Sequence, residues 1–547
     1  MSCEAPTLPS RSGILRVLLH AAAVLPLLIM GGEDMARGWR PLFDNAYISL
    51  RAFQVFSRAS PLVGHQAAFN VGSHTVFGPG PVENWLLAVP VRLDPGQGAL
   101  WGAVIIAGIG VTLAIEAAWS AAQWWGAVLA TAAILVTFAV LPELTVDVVW
   151  NAWFGLIFVY PTLLSGWAVA SGHLRWWPVT VASATVVVQS QEVFAPPVIL
   201  VCLVSALMGW IVNRSSRSPG RYRPFVVGVA VGVVLWIAPV VQQFTQNPGN
   251  LTLLWEAATL PARKVGLRHA LSALGGGVSP VPEWLHRPPV SGAYAQFVYV
   301  AKIFTGPAWW AIVTLAAVIV VAVTATLTGR RRMAGAAAVS LAGALGVVMS
   351  FSTVPASQFL NFGYLGTLLI PIGCSVWLTL AWAVGELLRY LASLSLRRFR
   401  PGRPSIVQPW FSVPGEPLRM VAASVAMIGT LVLAVSSGGD ILGTAEPTLT
   451  GWTAVHQVDA GVAAAAAVAP HRPFRLQLEG PLTLERLGVI TGMAYLLDAD
   501  GFDARMAITI TLPTFGPVLS DMPVVTVRLP SPHLIARATV RSPHSAV

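Results

Sequence analysis

Asp44 poses the sharpest chemical question in this chain. Only 10% of its 547 residues are charged and the mean hydropathy is +0.70, so each carboxylate near a bilayer needs a reason. An ionisable group there is costly to desolvate and marks a functional site. Asp44 and its neighbour Asn45 follow the first apolar segment. A carboxylate so placed can serve as general base toward a sugar or lipid hydroxyl. Glu143, Asp147 and Glu192 lie at the ends of later apolar segments. Acids from separate loops gathered at one membrane face can hold a divalent cation through hard oxygen ligands, or they can be ordinary solvated residues at helix ends. The sequence leaves a metal cofactor open.

The cations Arg51, Arg263, Lys264 and Arg268 are suited to pair with a lipid phosphate. The last three fall in a stretch near 250–274 that reads as helical, where Lys264 and Arg268 are i,i+4 and share a face. The same face could instead be solvated or snorkelling. His65 and His74 flank a glycine-rich segment and could bond phosphate or metal. No His-x-x-x-His pair accompanies them, which favours hydrogen-bonded loop histidines over a zinc site.

These residues need scaffolding, and apolar runs of about 20 residues supply it. Eleven spans are predicted: 12–31, 98–118, 121–142, 151–171, 175–190, 193–212, 224–242, 307–328, 334–353, 363–388 and 418–437. The first reads as a retained signal-anchor. Arginine clusters at 214–223, 330–332 and 397–403 mark cytoplasmic loops. The N-terminus then lies in the cytoplasm of a multi-pass plasma-membrane protein, while loops 32–97, 143–150, 190–192, 243–306 and 354–362 and the C-terminal region lie outside. The domain division is 1–437, polytopic, with its first exterior loop at 32–97, and 438–547, an exterior α+β unit.

The net charge of +10 is largely topology-setting arginine facing anionic headgroups, not a nucleic-acid surface. Cys202 and Cys374 fall in predicted spans and Cys3 at the terminus, so no disulfide framework is implied. The absence of a Walker-type loop argues against an intrinsic ATPase. Within loop 32–97, residues 44–58 read as an interfacial amphipathic helix, 64–81 as a fixed irregular loop, and 81–93 as a segment dipping back toward the interface. In the C-terminal unit, 460–469 and 481–498 read as helices, and 474–479, 506–511 and 524–528 as strands.

The order Asp44-Asn45-Ala46-Tyr47-Ile48-Ser49-Leu50-Arg51, then Ser60-Pro61-Leu62-Val63-Gly64, Gly78-Pro79-Gly80-Pro81 and Trp85-Leu86-Leu87, with Pro248-Gly249-Asn250-Leu251 further on, resembles the GT-C superclass of polytopic glycosyltransferases, in particular its actinobacterial members. The resemblance covers most of the chain in architecture and is motif-specific only in the first loop. It implies a GT-C-like helical membrane fold and inverting transfer of a sugar from a polyprenyl-phosphate donor to an envelope glycan or lipid acceptor. Asp44 carries over as base or metal-holding acid. The chain departs from the superclass where Asn45 replaces a second acid, and where Phe77-Gly78 precede Pro79 in place of His-Pro. Two other readings stand beside this one: a transporter or flippase of a lipid-linked or small substrate, and a non-catalytic envelope scaffold. No matched halves with broken helices support the transporter.

Overall fold

The computed structural model describes residues 11–141, 148–215, 220, 222–285, 306–356, 363–399, 451–479, 484–506, 522–529 and 536–541. In chain order, helix α1 (Arg11–Ala36) leads to a short helix α2 (Phe43–Gln54), a hairpin of β1 (Gln66–Val71) and β2 (His74–Phe77), and helix α3 (Val82–Leu93). A helical bundle follows: α4 (Gly98–Val140), α5 (Asn151–Ala170), α6 (Trp177–Ser190), α7 (Ala195–Asn213) and α8 (Arg223–Thr245). Next come α9 (Asn250–Thr259), α10 (Gly266–Val278), α11 (Ala308–Leu327), α12 (Arg331–Thr353) and α13 (Leu369–Phe399). The C-terminal unit holds α14 (Gly451–Ala466), β3 (Phe474–Leu478), α15 (Leu484–Ala499), β4 (Ala504–Met506), β5 (Val524–Arg528) and β6 (Arg537–Arg541).

Eight helices among the described residues are long and apolar enough to cross a membrane, against the eleven spans expected. Three differences account for the gap. The predicted spans 98–118 and 121–142 are the two arms of α4, counted together as one helix although the chain turns between them at Ala122 and Gln123. The predicted span 175–190 is α6, only 14 residues long. The predicted span 418–437 lies outside the described residues.

Helix α4 does not run straight. Ala122 and Gln123 leave helical geometry, with Gln123 at φ 58°, and a Cβ on Gly126 would press into the carbonyl oxygen of Ala118. In a straight helix residues eight apart are separated by about 12 Å, so the chain reverses at Gln123. Its 43 residues are enough for two arms, each close to the hydrocarbon core thickness of about 30 Å.

Pro178, Pro196 and Pro224 open α6, α7 and α8, where the missing N–H costs nothing. Helix α5 is the central post, buried along its whole length except at Leu164. Helix α8 turns Val226, Val229, Val233 and Val234 outward. Such an all-apolar helix fits a lipid surround, where exposed valines carry no penalty.

Two local expectations are corrected. The 64–81 segment contains an antiparallel hairpin in which Val71 pairs with His74. Gly72, at φ 57°, begins the two-residue turn that lets the strands fold back. The 250–274 stretch is two helices, because Pro261 cannot continue α9. Residues 260–265 form a non-helical connector between them, in which Lys264 forms a β-bridge with Pro355. Lys264 and Arg268 therefore do not share a helix face.

The C-terminal unit, expected as α+β, is a small mixed α/β region with its sheet in the order β4-β3-β5-β6. Strand β3 pairs in parallel with β4 and β5, and β6 pairs antiparallel with β5. The expected strand 506–511 is described only to Met506, the rest lying outside the described residues.

Candidate active site

Helix α2 was expected to lie on the interface, but it is packed inside the protein. Ala46, Tyr47, Ile48, Ser49, Leu50 and Ala52 are buried, against α3 on one side and α15 on another. Asp44 stands in its first turn, where the helix dipole favours a negative charge. The indole N–H of Trp150 donates to Asp44 Oδ2 at 3.0 Å. Asp44 Oδ1 faces His65 Nε2 at 3.6 Å, and the carboxylate keeps 45% of its surface exposed. The acid is therefore fixed at one oxygen and open at the other.

His65 is set by its surroundings. Its ring meets Tyr47 edge-on, with centroids 5.1 Å apart, and its main chain is tied to the opposing strand through Gly78 N–H donating to His65 O at 2.6 Å. His65 Nδ1 is buried with no hydrogen-bond partner among the described residues.

Across from these residues lies the turn between α6 and α7. Gln189 accepts from the Val82 N–H at 3.1 Å and donates to Leu235 O at 2.9 Å. Asn151 donates to Ser190 O at 2.8 Å, so the start of α5 and the end of α6 lie side by side. Tyr364 packs edge-on against Trp150 at 4.8 Å, hydrogen-bonds Gln191, and lies within electrostatic reach of both Glu192 and Asp44. Glu143 and Asp147 lie outside the described residues.

Glu83 was not singled out from sequence, although it is the lone acid of an apolar 12-residue helix. Arg92 donates to Phe53 O at 2.7 Å, which pins the C-terminal ends of α2 and α3 together. Asp44 and Glu83 stand equally far upstream of that contact, each in the first turn of its helix. Glu83 is 6% exposed and its Oε1 has no hydrogen-bond partner among the described residues. Burial pushes its carboxyl well above the usual carboxylate range, which favours the neutral form.

The cations are dispersed. Arg51 lies two turns along the same face of α2 from Asp44 and reaches Gln54 at 3.5 Å. Lys264 Nζ donates to Ala258 O at 2.5 Å, satisfying the C-terminal end of α9. Arg263 and Arg268 are exposed. His74 is exposed at the tip of the hairpin, at the far end from His65. Among the described residues no three His, Cys, Asp or Glu side chains group so as to hold a metal.

By sequence, the chain matches no protein-family model and none of the curated proteins. Its fold is another matter. It superposes on the crystal structure of ArnT from Cupriavidus metallidurans bound to undecaprenyl phosphate with a TM-score of 0.50, at 14% identity, over 97% of this chain and 98% of that one. The oligosaccharyltransferase of Archaeoglobus fulgidus overlaps less well, with a TM-score of 0.38 at 11% identity, over 87% of this chain and 64% of that one. The fold is therefore GT-C-like: a polytopic helical membrane protein with a small α/β C-terminal region.

Proposed function

We propose that this protein is a GT-C-type glycosyltransferase that transfers a sugar from a polyprenyl-phosphate donor to an envelope glycan or lipid acceptor. The observation that carries the reading is the Asp44 carboxylate, pinned at Oδ2 by Trp150 and open at Oδ1, at the start of α2. It sits within a fold that matches, end to end, a protein crystallised with undecaprenyl phosphate. In the proposed orientation the N-terminus is cytoplasmic, and Asp44 and the C-terminal unit are exterior in the plasma membrane.

The chemistry follows from the geometry. Asp44 Oδ1 takes the proton of the acceptor hydroxyl as its oxygen attacks the anomeric carbon. The bond from that carbon to the donor phosphate oxygen breaks, and polyprenyl phosphate leaves with the electron pair. Inversion follows from attack opposite the leaving group. Trp150 holds the base still, which a positioned general base requires. Glu83, in the first turn of α3 and favoured in its neutral form by burial, is suited to donate its proton in a hydrogen bond to a sugar or phosphate oxygen. Arg263 and Arg268, both exposed, are suited to meet the donor phosphate. Asp44 and Glu192, flanking Tyr364, are the acids of the proposed site.

The test is Asp44→Asn in cells expressing the full chain, with the lipid-linked sugar pool and surface glycan followed by radiolabelled sugar. Transfer is expected to collapse while the donor pool accumulates. Unchanged glycan labelling would remove the enzymatic reading. Lipid flipping in vesicles that survives the substitution would identify a transporter instead.

A further inference from the structure

From the joint between helix α15 and residues 39–43, we infer that the C-terminal unit positions the candidate base through Thr491. This inference rests on the proposed role of Asp44. The Phe43 N–H donates to Thr491 Oγ1 at 2.9 Å. The Thr491 hydroxyl itself donates to Gly488 O at 2.7 Å, so its lone pairs are aimed at Phe43. Thr491 is buried, at 3% exposure.

Phe43 needs such a hold. Its φ is 47°, in the left-handed region that side chains other than glycine seldom adopt and that persists only where the surroundings enforce it. This backbone turn launches α2, whose first-turn hydrogen bonds run from Asn45 and Ala46 back to Leu42. The orientation set at Phe43 is therefore passed directly to Asp44.

Three further contacts make this a built joint. Gly492 lies so close that an added Cβ would be 2.6 Å from Pro41 O. Arg40 donates to Asp459 of α14 at 2.7 Å. Tyr495 donates to Pro95 O at 3.0 Å, which holds the end of the α3 segment. Gly488, Thr491, Gly492 and Tyr495 recur at helical spacing on one face of α15. That face grips both ends of the loop that carries Asp44 and Glu83. Thr491 is a positioning residue and does not touch substrate.

The experiment uses the full chain in nanodiscs with Thr491→Val and Thr491→Ser. Amide hydrogen exchange is read over residues 43–46, alongside the cellular transfer assay. Losing one buried hydrogen-bond acceptor is expected to speed exchange at 43–46 about tenfold and to lower transfer by a similar factor. Exchange in 47–54 and 484–499 should stay as in the parent, and Thr491→Ser should restore both readouts. Unaltered exchange at 43–46 in Thr491→Val would overturn the inference. So would exchange raised equally throughout α15, since that is undocking of the whole unit. If Asp44→Asn stops transfer while Thr491→Val transfers at the parent rate, the positioning role fails and the proposed function stands. If Asp44→Asn leaves transfer intact, the proposed function fails, and the exchange result alone decides whether Thr491 sets the start of α2.

Discussion

The acidic and the basic halves of the candidate site are built on opposite plans. Asp44 and Glu83 sit on two packed helices whose C-terminal ends are joined by the Arg92–Phe53 hydrogen bond. Trp150, from a distant helix, holds the carboxylate itself. Arg263 instead lies in the connector between α9 and α10 and Arg268 in the first turn of α10, both exposed, and the backbone of that connector is held by the Val354–Ala356 edge. A base that must meet a reacting hydroxyl gains from preorganisation, because small misplacements are costly in rate. A cation that meets a mobile lipid phosphate gains from reach.

If that contrast holds, substitutions in the two halves should fail differently. The largest effect belongs to Asp44→Asn, which should lower transfer about a hundredfold or more, in the range for losing a general base. Initial-rate measurements on membranes should show this in kcat. The second is Glu83→Ala, expected to cost about tenfold, while Glu83→Gln retains most activity because an amide also donates a hydrogen bond. Glu83 also carries a pH signature. Its folded-state pKa is raised by burial, so its stabilising contribution is complete below the ordinary carboxylate value and is lost as pH rises through the raised one. Transfer should fall over the same rise, and Glu83→Gln should flatten both profiles.

The third prediction probes the basic half. Arg263→Ala or Arg268→Ala should raise KM for the lipid donor about two- to fivefold with kcat unchanged, as suits exposed charges. Raising the salt concentration should shrink that difference. A large kcat loss there would erase the contrast between the halves. The smallest effect is on the clamp. Asp498 is raised by burial first and by Asp503 second, so its stabilising contribution is present below its ordinary value and lost as pH rises through the raised one. Mild acidification should therefore raise the thermal midpoint of the full chain slightly, and Asp498→Asn should remove that gain.

The helical framework was legible in the sequence because unbroken apolar runs carry their own length code. The 474–479 and 524–528 strands of the C-terminal unit were also legible from alternation, while the parallel pairing that joins them was not. Asp44 stood out because a carboxylate is rare in so apolar a chain, and the same signal was available for Glu83 in its apolar segment. Trp150, Gln189, Tyr364 and Thr491 left no local trace. Their roles come from contacts across the chain, such as Phe43 to Thr491, that no spacing encodes. The shared face of Lys264 and Arg268 was misread because the charge periodicity outweighed Pro261, which the backbone does not allow to be overruled.

The reversal of α4 at Gln123 bears on how the protein is made. Asp44 and Trp150 touch, so the chain must leave and re-enter the same side of the bilayer between Gly98 and Val140. Because the return is a tight bend with one glutamine at its apex, the two arms can enter the lipid together as a hairpin with no hydrophilic loop to translocate. The parity of every later segment hangs on that bend. A substitution that straightened it, such as Gln123→Leu, would invert the rest of the chain during biogenesis, and reporter fusions after residue 170 would register the inversion as a change of compartment.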